Sequence, residues 1–186
     1  MFKKIILKDC EIPENTVVFG EDIFVDNYKR NSRLYPYSIK VVDSVCNGNV
    51  SGMITDLELG KIRRILGQDI VKELFYDRIG KNPKCSFYEA MIAEYLDEYR
   101  KLTAYHKLFE LDRSKNLHMP DVTSVITAIE ADRTLVTNDI HHWQQQNNII
   151  KTYRERHAEK RAKQIVEKKK LSDLVMYDSK DFCKLV

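Results

Sequence analysis

The stretch Asp121-Val-Thr-Ser-Val-Ile-Thr-Ala-Ile-Glu-Ala-Asp-Arg-Thr-Leu-Val-Thr-Asn-Asp139 decides how this chain is read. Its first half, residues 122–129, carries apolar side chains at helical spacing. Its second half, Thr134-Leu-Val-Thr137, is a short apolar run that reads as a strand ending at Asn138-Asp139. One acid therefore opens the helix and another closes the strand, so both emerge at the same sheet edge. In an open α/β sheet the ligand crevice lies off the carboxyl ends of the strands.

Two more acids fall at similar junctions. Asp22-Ile-Phe-Val25 reads as a strand that delivers Asp26, and Val50-Ser-Gly-Met-Ile54 reads as a strand leading into a helix over 56–66 that carries Glu58. Helices are expected over 37–46, stopped by Asn47-Gly48-Asn49, and over 68–80. From 86 to 111, Phe87, Met91, Tyr95, Tyr99, Leu102 and Phe109 predict one long helix with a core-facing stripe. Residues 4–7 and 16–19 read as a hairpin-like pair about Pro13-Glu14-Asn15, and 174–177 as a closing strand with 180–186 folded behind it. Strands alternating with helices predict an α/β protein, a three-layer α/β/α fold with a mostly parallel central sheet. The early hairpin, within an N-terminal β extension over 1–20, would add an antiparallel edge. No repeat or linker divides residues 1–186, so a single domain is expected.

Bulk properties exclude several classes. No run approaches the roughly 18 to 20 apolar residues of a membrane span. The start, Met-Phe-Lys-Lys-Ile-Ile-Leu, is too short in apolar residues for a signal segment. Four scattered cysteines, Cys10, Cys46, Cys85 and Cys183, contain no C-x-x-C pair and fit reduced thiols in a cytoplasmic setting. Charge is uneven. Residues 151–170 hold nine Lys/Arg and three Glu, a local +6 in a chain of net +3, which leaves −3 for the remainder.

Asp26, Glu58, Asp121 and Asp139 together suggest a hard-cation site. Carboxylates are the ligands Mg²⁺ and Mn²⁺ prefer, and such ions support phosphodiester hydrolysis without a covalent nucleophile. The five histidines offer no H-x-x-x-H alternative. Each acid also has a capping reading. Thr55-Asp-Leu-Glu58 is a capping box, and Asp121 and Asp139 (or Asn138) are placed to cap helices.

The 121–139 run resembles the third and fourth acidic motifs of PIN-domain nucleases: an Asp, an alanine-containing helix, then a strand ending in L-V-T-x-D. Phe24-Val-Asp26 looks like the first motif and Leu57-Glu-Leu59 like the second. The resemblance covers about residues 22–148, together with the closing segment 177–185. It implies a PIN-like fold and Mg²⁺- or Mn²⁺-dependent cleavage of RNA. Asp26, Glu58, Asp121 and Asp139 would then hold the metal, with Thr137 and Asn138 orienting them. An antitoxin-like inhibitory protein is the partner such stand-alone members imply, and a homodimer stays open.

Residues 149–170 form a basic helical insertion in this reading, with Arg154, Arg156, Arg161 and Lys163 on RNA phosphates and Tyr153 and His157 stacked on bases. The bland reading is a surface helix laced with pairs such as Glu159 with Lys163. Two alternatives to a nuclease remain. One is a PIN-like RNA-binding domain without catalysis, since Asn27-Tyr28 replaces the family's usual small residue and Asn. The other is a protein-interaction domain whose acids only cap helices.

Overall fold

Alternation along short strands builds two separate cores. Successive strand side chains leave opposite faces, so Val18, Met53 and Leu135 pack on one face while Phe19, Ile54 and Val136 pack on the other. These residues belong to β2 (Thr16–Phe19), β3 (Ser51–Thr55) and β5 (Leu135–Val136). With β1 (Phe2–Ile5), β4 (Phe87–Ala90) and β6 (Met176–Tyr177) they form a six-stranded sheet in the order β1-β4-β3-β2-β5-β6. Every neighbouring pair is parallel. The computed structural model describes residues 2–114, 118–143, 146–163 and 174–186.

Helices cover both faces, as a parallel sheet requires. On the Phe19 side lie α1 (Glu21–Asp26), α2 (Tyr35–Cys46), α3 (Asp56–Leu66) and α4 (Gln68–Val71), which continues as a π-helical stretch, Lys72–Ile79. A short α5 (Leu96–Arg100) follows β4. The Val18 side is covered by α6 (His106–Ser114), α7 (Met119–Ala131) and α8 (Gln146–Lys163). The last helix, α9 (Ser179–Phe182), returns to the first core through Phe182. The molecule is the three-layer α/β/α fold expected, with an N-terminal strand. No described helix is long and apolar enough to cross a membrane.

Three local expectations are corrected. The N-terminal strands do not form a hairpin: β1 pairs with β4, Phe2 beside Phe87, and both β3 and β4 separate it from β2. The pairing packs Phe2, partly buried, against the rings of Phe75 and Phe87, a gain that a hairpin over water would lack. The run 22–25 is helix, not strand, because β2 already ends at Phe19 and Ile23, Phe24 and Val25 are all buried in α1. Residues 86–111 are not one helix. Phe87, Met91, Tyr95 and Tyr99 recur every four residues, a spacing that satisfies both the strand period of 2 and the helix period of 3.6, and β4 takes the first of them.

The aromatic side of the sheet depends on one glycine. A Cβ on Gly52 would lie 2.2 Å from Phe87 and 3.1 Å from Phe19, two rings that stack across β3 with centroids 6.4 Å apart.

Candidate metal centre

The strand order reverses around β2: β3 and β4 lie to one side of it and β5 to the other. A crevice opens at such a switch point, beyond the carboxyl ends of the strands. Three segments meet there. Gly20-Glu21-Asp22 follows β2, Thr137-Asn138-Asp139 follows β5, and α3 follows β3 with Glu58 in its first turn.

Glu21, Glu58 and Asp121 come together, with one carboxylate oxygen of each lying within 4.8 Å of the others. Each is held by its own element. Thr55 caps α3 by accepting from the Glu58 N–H at 3.0 Å, but the Glu58 side chain does not fold back to complete a capping box. It turns instead toward α7, where Oε1 accepts from Ser124 Oγ at 2.6 Å. Its Oε2 is buried and meets no hydrogen-bond donor. Asp121 serves two ends at once: Oδ2 accepts from the His118 N–H at the start of α7 (2.9 Å), and Oδ1 accepts from Lys61 Nζ (3.0 Å). Lys61, one turn beyond Glu58 on α3, also pairs with Glu21, and its side chain is only 12% exposed.

The protonation pattern follows from this crowding. Burial and the neighbouring Glu21 and Asp121 charges push the Glu58 carboxyl well above its usual value. Burial alone would raise Glu21 too, yet the hydrogen-bonded Glu58 carboxyl and the Lys61 ammonium outweigh it and hold Glu21 low. The proton of the pair therefore rests on Glu58. Asp121 is raised by burial and by Glu21, against the opposing pull of Lys61. Lys61 is held strongly protonated by the same two carboxylates, in spite of its burial.

A second acidic pair adjoins the first. Asp22 Oδ2 accepts from Thr137 Oγ1 at 2.8 Å and from the Asp139 N–H at 2.7 Å, while Oδ1 accepts from the Ile23 N–H at 2.9 Å. Burial, and then repulsion from Glu21 and Asp139, raises the Asp22 carboxyl. Gly20 makes the approach feasible: a Cβ there would sit 2.7 Å from Asp22 Oδ1 and 3.0 Å from Thr137 Oγ1.

Of the four expected acids, Glu58 and Asp121 enter the cluster and Asp139 lies beside it against Asp22. Asp26 does not join them. It sits in the last turn of α1, where Oδ2 accepts from Asn138 Nδ2 at 2.8 Å. Asn138 also donates to Ser38 Oγ at 3.1 Å and accepts from the Ser179 N–H at 3.0 Å, so it ties α1, α2 and α9 together. Thr137 orients Asp22 in place of the expected acid. Sequence reasoning missed Glu21, Asp22 and Lys61. The signal was present in Thr16-Val-Val-Phe19-Gly-Glu-Asp22, an apolar run ending in acids like the one ending at Asp139, but the Ile23–Val25 run competed for the strand.

The basic helix also differs from expectation. Arg156 turns inward and pairs with Glu130 and with Glu159, and Lys160 reaches Glu130 at 2.9 Å. Tyr153 is buried and donates its hydroxyl to Asp132, so it offers no stacking face. His157 is half-buried against the Ile129 carbonyl. Lys151 and Arg154 are exposed. The side chains of Arg161 and Lys163, and residues 164–170, lie outside the described residues.

No family model matches the chain, and no curated protein or solved structure matches it either.

Proposed function

We propose that this protein is a Mg²⁺- or Mn²⁺-dependent endoribonuclease that works at the switch-point crevice. The observation that carries the reading is the meeting of Glu21, Glu58 and Asp121 from three elements, with the buried Glu58 Oε2 short of a donor and a lysine ammonium already drawn into a cation's place. All three offer hard oxygen donors that suit either ion, so the residues fit the metal that the PIN-like resemblance implies. Glu21, Glu58 and Asp121 would hold it, with Asp22 and Asp139 beside them. Glu21 and Asp22 take the role expected of Asp26.

When bound, the ion would supply Lewis acidity to a phosphodiester oxygen and acidity to a water. The chain's own contribution is positioning. Ser124 fixes the Glu58 carboxyl, the His118 N–H fixes that of Asp121, and Thr137 with the Asp139 N–H fixes that of Asp22. Groups locked in this way need no reordering at the moment of reaction. RNA as the substrate rests on the resemblance of the 121–139 run and on exposed Lys151 and Arg154, which are suited to a phosphate backbone.

A second reading, RNA binding without catalysis, is favoured by Lys61, whose ammonium already pairs with two of the three carboxylates. One experiment separates the two. Mixed-sequence single-stranded RNA is incubated with Mn²⁺ and wild type, Glu58→Gln or Asp121→Asn, with an EDTA control. The nuclease reading expects cutting by wild type alone, abolished by EDTA. Cutting that persists in Asp121→Asn or in EDTA would sink it. RNA retention on a filter with no cutting by any protein favours the second reading.

A further inference from the structure

We infer that Lys61 is a built-in competitor cation for the acidic site, so that a divalent ion enters only by displacing the Lys61 ammonium from Glu21 and Asp121. The inference rests on the metal-site reading above and adds the device that governs it. Three observations meet at one point. Carboxylates of Glu21, Glu58 and Asp121 lie within 4.8 Å of one another. The Lys61 ammonium touches two of them, at 3.0 Å from Asp121 Oδ1 and in close contact with Glu21. Independently, Glu58 is 1% exposed and its Oε2 meets no donor, so the third carboxyl has no cation beside it of the kind that Lys61 gives its neighbours.

Geometry makes the exchange feasible. Lys61 reaches the cluster from the second turn of α3, so its flexible four-carbon stem can withdraw the ammonium without unwinding the helix. An ammonium is a compact point charge that offers one cation's worth of compensation. A divalent ion offers twice the charge and can be shared by three carboxylates. Lys61 therefore keeps the crowded acids together when no metal is bound, and lowers metal affinity by the work needed to remove it. The site is tuned to respond to free metal instead of holding it permanently.

Calorimetric titration with Mn²⁺ alone, on wild type, Lys61→Met and Lys61→Arg, tests this. Lys61→Met is expected to bind Mn²⁺ more tightly than wild type by about tenfold or more, the scale of removing one competing charge at contact distance, while Lys61→Arg, which keeps the charge, is expected not to gain. A measurement on wild type covers the case in which Lys61→Met does not fold. Trace acetylation with acetic anhydride, read by mass spectrometry, is expected to label Lys61 faster when Mn²⁺ is present. Equal Mn²⁺ affinity in wild type and Lys61→Met, or Lys61 labelling unchanged at saturating Mn²⁺, would overturn the competitor role and leave the metal site standing. No Mn²⁺ binding by any of the three proteins would overturn the metal-site reading itself, and the inference with it.

Discussion

Glu58 is a buried carboxyl among carboxylates, and the pH dependence of stability follows from it and from Asp22. Both are raised in the fold, by burial first and by Glu21 next or among the nearest causes. Between the ordinary carboxylate range and their raised values, the folded chain binds more protons than the unfolded chain. Stability is then fully present below the ordinary range and falls as pH rises through the raised values. Urea unfolding at a series of pH values, in EDTA, is expected to show that decline for wild type. Glu58→Gln keeps an acceptor for Ser124 and places an amide donor toward Glu21, so it mimics the protonated acid. Its stability is expected to decline less and to exceed wild type at pH 8 by about 1–3 kcal/mol, the scale of an under-satisfied buried polar group. A wild-type stability that climbs over the same range would refute the assignment of the proton. Glu58 and Asp121 were legible in the sequence because each opens a helix whose apolar spacing is unmistakable. Glu21 and Asp22 were not, since the three apolar residues after them imitate a buried strand, and a six-residue helix packed on α2 and α3 buries the same run. Lys61 was illegible for another reason: nothing local distinguishes a lysine folded onto acids from one in water.

At the scale of elements, two substitutions probe how sheet and helices are joined. Gly52→Val on β3 would drive a side chain into Phe87, and overpacking of this kind costs about 1–3 kcal/mol or more. The midpoint of urea unfolding is expected to fall accordingly, and an unchanged midpoint would mean that the two rings separate without cost. On α8, Arg156→Met removes a partner of Glu130, whose side chain is 9% exposed. Stranding a mostly buried carboxylate costs about 3 kcal/mol, lessened here by Lys160 and the Tyr105 hydroxyl, which still reach it. Stability is expected to drop while RNA affinity stays unchanged, whereas Lys151→Ala and Arg154→Ala together are expected to lower affinity and its salt dependence. Filter binding at two salt concentrations checks both. A loss of RNA affinity in Arg156→Met equal to that of the double variant would contradict an inward, structural Arg156. The sequence showed that α8 is a basic helix but not which of its cations turn inward, because Glu130 lies 26 residues away on α7. The aromatic residues of 86–111 taught the same lesson in reverse. A four-residue spacing cannot choose between strand and helix, and only the vacancy beside β3 decides.

For the whole molecule, the proposed metal would be linked to stability. An ion that binds only the folded chain stabilises it by mass action, about 2.7 kcal/mol at one hundred times the dissociation constant. Thermal unfolding is expected to move upward with Mn²⁺ in wild type and much less in Asp121→Asn, and equal shifts in both would place the ion elsewhere. The layer architecture was readable from alternating strands and helices, while the strand order was not, because pairing partners are chosen by packing far along the chain. That order has a consequence for the growing polypeptide. During synthesis β2 and β3 can meet early, but β1 must wait for β4 at residues 87–90 before its backbone finds a partner. Contacts so distant in sequence close slowly. The acids are later still. Glu21 and Glu58 emerge long before Asp121 on α7 and the strand that presents Asp139, so through most of synthesis the nascent chain carries the pieces of its acidic cluster without the cluster.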